Sequence, residues 1–200
     1  MTAPRAITEL DGFLDAAWGA LDAGAGSGKS AFSMVQIATV GTDGGPRART
    51  VVIRANERAK REVAFHTDIR SPKVRELHRD PRLALIGYDM DAGLQVRAEG
   101  RARLHKGDDV ALSAWSAAKL HSRICYRSEF SPGEAIASGE FGDPTDSARA
   151  PENEDVGYEN FCRVVATIER IEWLDLAHSG HRRAQFVWRD ESWIGGWIAP

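Results

Sequence analysis

The chain reads as a mainly β protein: an antiparallel barrel, closed or nearly closed, with α-helices confined to its periphery. Three observations predict this. Strand-length runs of branched and apolar residues recur along the chain, separated by turn residues. Helical periodicity is limited to three short segments. After a hydrophobe-poor stretch from Phe130 to Tyr158 the same strand pattern resumes, so that stretch is a long surface excursion within one domain spanning residues 1–200.

The first helix is expected over Thr8–Leu21. Thr8 can cap it, Asp11 sits three residues on, and Leu10, Phe13, Leu14, Trp18 and Leu21 share a face. Gly24 to Lys29 then breaks the helix. Ser33–Val40 and Arg47–Arg54 form a hairpin about the turn Thr42–Pro46, and Glu62–Thr67 is a third strand. Ser71–His78 is a short helix with Ser71 as cap and Pro72 in its first position, ending near Asp80-Pro81. Strands follow at Arg82–Tyr88 and Leu94–His105, the latter with Gly100 as a bulge or barrel corner. Asp108–Leu120 is an alanine-rich helix, and Phe161–Leu174, Gln185–Trp188 and Trp193–Ile198 supply the last strands.

Hydrophobic residues make up 42% and charged residues 28% of the 200, which suffices for a sizeable core. A formal net charge of -3 gives no global pull toward nucleic acid or an anionic membrane, and neither is expected as a partner. Cys125 and Cys162 are too few for a disulfide scaffold and read as buried small hydrophobes. The N-terminus shows no signal-peptide pattern and no run is long enough to cross a bilayer, so a soluble, cytoplasmic protein is expected.

Ala23–Ser30, AGAGSGKS, approaches the phosphate loop of nucleotide triphosphatases, but Ala23 stands where the first glycine belongs. Such a loop leaves a strand and opens a helix, whereas here a helix precedes and a strand follows. A flexible loop is the expectation.

A more promising constellation is Arg49, Arg54, Thr67, Ser71 and Lys73. Arg49 and Arg54, five apart on one strand, cannot share a face if that strand is regular. Ser71 and Lys73 open a helix, where free N–H groups and the dipole favour an anion, and Thr67 adds a hydroxyl. The alternative is a solvated basic face tied to Asp68, Glu76 and Asp80. Gln95 alternates with Leu94 and Val96 and could read the polar edge of a ring, or be an ordinary exposed strand residue. His178, His181, Arg182 and Arg183 form a second basic patch. No Glu or Cys at suitable spacing completes a metal site there, and no glycine-flanked serine supports a hydrolase.

The run IATVGTDGGPRARTVVIR (Ile37–Arg54), then AFHTDIRSPKVRELHRDPRLALIGY (Ala64–Tyr88) and LQVRAEGRARL (Leu94–Leu104), resembles the pyridoxamine 5′-phosphate oxidase family of FMN-binding split barrels. RIEWLDL from Arg170, RRAQFVW from Arg182 and the closing WIAP resemble it more loosely. The resemblance implies a six-stranded Greek-key-like split barrel whose two subunits share two FMN sites across a homodimer interface. By position it assigns cofactor contacts to Arg49, Thr50, Val51, Val52, Ile53, Arg54, His66, Thr67, Ser71, Lys73 and Gln95. The backbone of Val51, Val52 and Ile53 would run beside the isoalloxazine ring. Pro72 replaces the arginine of the family's serine-arginine-lysine phosphate clamp, and His66 its tyrosine.

The substrate side departs further. The family's tyrosine and arginine on the helix after the long strand become Ala114 or Trp115 and Ala118 or Lys119, with Ser122 aligned to its serine. Its C-terminal arginine-x-histidine becomes the differently spaced His181, Arg182 and Arg183. Trp115, Lys119, Ser122, His181 and Arg183 are therefore the candidate substrate-pocket residues, with His66 also shaping the pocket. Trp115 reads equally as a core or interface residue, and Trp115 and Trp173 would seek cover in a dimer. No catalytic residue is assigned. The expected activity is an FMN-dependent oxidoreductase acting on a small molecule. The alternatives are a flavin sensor or carrier without turnover, pyridoxamine phosphate oxidation itself, and haem or deazaflavin in a related barrel.

Overall fold

A computed structural model describes residues 9–137, 155–177 and 180–200. Thr8, most of the hydrophobe-poor excursion and His178 lie outside them. Helix α1 spans Leu10–Ser27, followed by strands β1 (Met34–Val40), β2 (Pro46–Glu57) and β3 (Glu62–Asp68). Helix α2 (Pro72–Arg79) precedes β4 (Arg82–Asp89) and β5 (Leu94–His105). Helices α3 (Asp109–Ala117) and α4 (Leu120–Arg123) lead, beyond the excursion, to β6 (Phe161–Asp175), β7 (Arg182–Arg189) and β8 (Ser192–Ile198).

The strand order is β3-β2-β1-β4-β5-β6-β7-β8, and an additional β3–β6 pairing closes the first six into an antiparallel barrel. The length of β6 makes this possible. Its first half, Phe161–Thr167, pairs with β3, and Arg170–Asp175 pairs with β7 along the same edge. A bulge divides the halves: Glu99 pairs with Arg170 but Gly100 with Ile168, leaving Glu169 as the extra residue. The bulge reverses the alternation, so Cys162, Val164, Ala166 and Ile168 are buried before it and Ile171 and Trp173 after it. Gly100 is required there, because a Cβ would stand 2.1 Å from the Thr167 carbonyl oxygen.

Val35, Ile37, Val51, Ile53, Val63, Phe65, Leu85, Val96 and Ala98 alternate inward to fill the barrel. Helix α1 adds Phe13, Leu14, Trp18 and Leu21 to the same core, the face its periodicity predicts. It does not break at Gly24. Gly24 is buried, and a Cβ there would lie 2.3 Å from the Phe32 carbonyl oxygen, so this glycine serves close packing against the next turn. The helix stops at Gly28, which takes the left-handed φ of 63°. A helix before and a strand after AGAGSGKS exclude phosphate-loop geometry.

Helix α3 forms a smaller core of its own. Trp115, 1% exposed, packs with Tyr126, Tyr158 and Phe161, its ring centroid 5.3 Å from that of Phe161. Trp173 is 5% exposed and meets Phe13 edge-on at 6.4 Å. Both tryptophans find cover within the chain, so neither argues for a dimer. Cys125 is exposed rather than buried, Cys162 is buried, and both are free thiols. Among the described residues no helix is long and apolar enough to cross a membrane.

Candidate functional site

Two groups of residues converge on β2 and β3. The first lies where α2 packs against β1 and β5. Ser71 precedes the helix with extended φ/ψ and Pro72 opens it, but the Ser71 hydroxyl does not cap the helix. It accepts instead from Lys73 Nζ at 2.7 Å, and Thr67 Oγ1 accepts from the same ammonium at 3.0 Å. Ser71 and Thr67 are 2% and 5% exposed. Among the described residues Lys73 has no carboxylate within ion-pair distance. Its pKa is lowered, first by burial and then by the Arg49 guanidinium.

Arg49 is neutralised from behind. Its Nη2 donates to Glu76 Oε2 at 2.6 Å, its Nη1 donates to Thr39 Oγ1, and the Thr39 hydroxyl donates to the same Glu76 oxygen at 2.6 Å. Glu76 is 5% exposed. The other acids expected to neutralise this face are engaged elsewhere. Asp68 holds Arg70 through both carboxylate oxygens, at 3.0 and 2.6 Å, and Asp80 pairs with Arg82. Arg49 and Lys73 thus bring two positive charges together with one carboxylate, beside two hydroxyls and the start of a helix. Such a group favours a bound anion.

The second group is a cleft of about 360 Å³. β2 contributes Val52, Ile53 and Arg54, β3 contributes His66, and β6 contributes Arg163. Gly24, Ala25, Gly26 and Gly28 at the end of α1 also line it, with Ala114 and Ala117 of α3, Ala118 and Lys119 between the helices, and His121 and Ser122 of α4. Ala118 and Lys119 adopt extended backbone between the two helices, so the expected single helix to Leu120 is interrupted at the cleft. The register of β2 against β3 shifts between Ile53 and Ala55, which places Arg54 at an irregularity. Arg54 lines the cleft while Arg49 meets Glu76, so the two arginines serve different environments.

His66 is mostly enclosed, its ring 4.8 Å from Phe161 in an edge contact, and its Nε2 is buried without a hydrogen-bond partner. Burial first, then the Arg163 and Arg54 guanidinium charges, pushes its pKa down to about 4, so the ring is neutral at physiological pH.

Of the sequence-predicted residues, Arg49, Thr67, Ser71 and Lys73 form the first group, and Val52, Ile53, Arg54, His66, Lys119 and Ser122 line the cleft. Thr50 is exposed on β2 and Val51 is buried in the core. Gln95 lies half-buried on β5 between Tyr88 and Leu174. Trp115 is buried in the α3 core and does not line the cleft. His181 and Arg183 do not line it either. Arg183 donates to Glu172 at 2.6 Å, in a group where Arg97 and Arg170 meet the same carboxylate. Sequence reasoning named Glu76 among the acids that would tie a solvated basic face, and the structure pairs it with Arg49; it missed Thr39. It also missed Arg163 and the wall at the end of α1. The small residues of AGAGSG were the available signal for that wall, whereas Arg163 carried none.

The fold is thus a closed six-stranded antiparallel barrel with an anion-favouring group and a cleft on neighbouring strands. Residues 28–139 match the family described as pyridoxamine 5′-phosphate oxidase, and the chain belongs to that family. It is 31% identical over 156 residues to pyridoxine/pyridoxamine 5′-phosphate oxidase 2 of Arabidopsis thaliana, covering 72% of this chain and 74% of that protein. In fold it is similar to a pyridoxamine 5′-phosphate oxidase-related, FMN binding protein of Nostoc punctiforme PCC 73102, at 21% identity. The TM-score is 0.77, over 100% of this chain and 98% of the other. A second similar structure is PhzG of Burkholderia lata 383, in complex with tetrahydrophenazine-1-carboxylic acid. Its TM-score is 0.70 at 16% identity, again covering 100% and 98%.

Proposed function

We propose that the protein binds FMN and acts as an oxidoreductase on a small molecule, working as a homodimer with its cofactor sites at the interface. The carrying observation is Lys73: a largely buried ammonium held by two hydroxyls, facing Arg49, at the start of α2. A phosphate there would accept from the ammonium, the guanidinium and both hydroxyls at the positive end of α2, and would offset the burial and the Arg49 repulsion that lower the Lys73 pKa. The donor set fits a phosphate monoester. The ring end would run along Val51–Ile53 toward the cleft. Bound FMN would supply two-electron redox chemistry. The chain's own residues would grip the phosphate, and His66, Ser122 and the apolar wall would orient substrate and exclude water. Exposed Met34, Leu112, Ile194 and Trp197 are apolar side chains that a partner subunit would cover.

The test is an absorbance spectrum of freshly purified protein, followed by titration of the unloaded chain with FMN and riboflavin. A flavin spectrum is expected, with FMN bound much more tightly than riboflavin. Arg49→Ala or Lys73→Ala should weaken FMN roughly ten- to a hundred-fold and riboflavin little. Equal affinities for the two ligands, or equal losses on substitution, would remove the phosphate site. Anaerobic reduction by a nicotinamide cofactor and reoxidation in air then separates an oxidoreductase from a flavin carrier.

A further inference from the structure

We infer that Arg70 is a positioning residue for the proposed phosphate grip: by holding the carboxylate of Asp68 it keeps that acid off Lys73 and leaves the ammonium to a phosphate. This rests on the reading of Arg49 and Lys73 as the phosphate site, and adds the residue that keeps the site open.

Asp68 directly follows Thr67 on β3, and Thr67 Oγ1 accepts from Lys73 Nζ at 3.0 Å. Asp68 is 7% exposed, so water screens its charge little and the carboxylate needs a partner. Its charge reaches the ammonium. Asp68 and Glu76 both act to raise the Lys73 pKa, and burial and Arg49 outweigh them. Neither acid pairs with the lysine. Each is taken by an arginine instead, Glu76 by Arg49 and Asp68 by Arg70.

Arg70 occupies Asp68 fully. Its Nε donates to Oδ1 at 3.0 Å and its Nη2 to Oδ2 at 2.6 Å, while its backbone N–H reaches Oδ1 at 2.8 Å. Its Nη1 donates to the carbonyls of Ser128 and Glu129 at 3.1 and 3.4 Å. All three guanidinium nitrogens are engaged, so the fork is fixed on the carboxylate and braced against a segment far along the chain. A planar fork meets both carboxylate oxygens at once, which the ammonium of Lys73 cannot do. Three cations thus stand against two carboxylates, and the uncompensated charge falls on Lys73. Without the guanidinium, Asp68 would be a buried carboxylate with no partner, and Lys73 the cation that already feels it. A pair between them would neutralise the ammonium and set a negative charge beside an incoming phosphate.

The experiment is a double-substitution cycle on the full chain, with Arg70→Gln, Asp68→Asn and the two combined, each titrated with FMN and with riboflavin. Arg70→Gln should weaken FMN about ten-fold or more and riboflavin by less than about two-fold, and adding Asp68→Asn should restore FMN to within about three-fold of the parent. If Arg70 merely anchored Ser128 and Glu129, the second substitution would restore nothing. Arg70→Lys meets one carboxylate oxygen instead of two and serves if the glutamine form fails to fold. A loss of about three-fold is expected from it, again cancelled by Asp68→Asn. Unchanged FMN affinity in the folded arginine variant, or a loss that persists in the combined variant, would overturn the inference. The Lys73 pKa, followed by NMR of the side chain without ligand, should rise in Arg70→Gln and fall back when Asp68→Asn is added. Parent protein that binds FMN no better than riboflavin removes the phosphate reading alone, because this titration still decides whether Arg70 holds Asp68 off the ammonium.

Discussion

Glu76 offers a sharp perturbation, because its carboxylate supports the proposed phosphate site without facing the phosphate. Its Oε2 accepts two bonds of 2.6 Å, one from Arg49 and one from Thr39. Its side chain is 6% exposed and that of Arg49 22%. Glu76→Gln keeps the shape and one good acceptor but removes the charge, leaving Arg49 and Lys73 without their carboxylate. Removing one member of a buried pair typically costs about 3–5 kcal/mol. Partial exposure of Arg49 and the retained amide oxygen reduce this to about 2–3 kcal/mol here. For a chain of this size that lowers Tm by roughly 5–10 °C in a thermal melt without ligand. A phosphate returns negative charge to both cations, so saturating FMN should recover more Tm in the variant than in the parent protein, and riboflavin should not. Equal FMN shifts in the two proteins, or equal recovery with riboflavin, would refute the coupling and with it the phosphate at Arg49 and Lys73.

Three further outcomes are expected. With a folded pKa near 4 against an ordinary 6.5, His66 favours the folded state above pH 6.5. That contribution, on the order of 3 kcal/mol, is lost as pH falls through about 4 because the unfolded chain takes up the proton first; urea melts at pH 7 and 4.5 should show the difference, and His66→Phe should flatten it. Gly100→Ala drives a Cβ to 2.1 Å from the Thr167 oxygen, and with backbone on both sides unable to yield it should cost about 3 kcal/mol or more, measured by chemical denaturation; a loss under about 1 kcal/mol would show the bulge to be plastic. Pyridoxamine 5′-phosphate should not be oxidised appreciably, since Ala114 and Ala118 line the cleft where the family resemblance places a tyrosine and an arginine; oxygen uptake with pyridoxal phosphate formation at roughly 1 s⁻¹ would restore that activity.

The barrel was legible because each strand carries its own signal. Alternation marks β1, β2 and β5, and Gly100 marks the corner of β5. Closure was expected from many strands around few helices and from the family resemblance, but the β3–β6 pairing that makes it joins residues about a hundred positions apart and leaves no local trace. The extra residue of the bulge, Glu169, is likewise invisible in the strand it interrupts. Gly24 misled for a related reason: a helix interior disfavours glycine unless another backbone must come close, and the contact with Phe32 is tertiary. Trp115 was readable only as a large apolar residue, and its burial depends on Tyr126, Tyr158 and Phe161 arriving from distant segments.

The same asymmetry divides the candidate site. Thr67, Ser71 and Lys73 lie within seven residues at a strand end and helix start, so a short stretch of sequence determines how they meet. The cleft draws on five elements: α1, β2, β3, the α3–α4 corner and β6. Arg163 enters it through pairing with His66 on a strand nearly a hundred residues away, and no spacing rule could have found it. The proposed phosphate grip needs only one more group from outside that stretch, Arg49 on β2 held by Glu76. A pocket assembled from five elements changes whenever any one does, and Ala114 and Ala118 stand where the family resemblance places larger polar side chains. The proposed grip therefore depends mainly on one short stretch of chain, whereas the cleft exists only when five elements are folded into place.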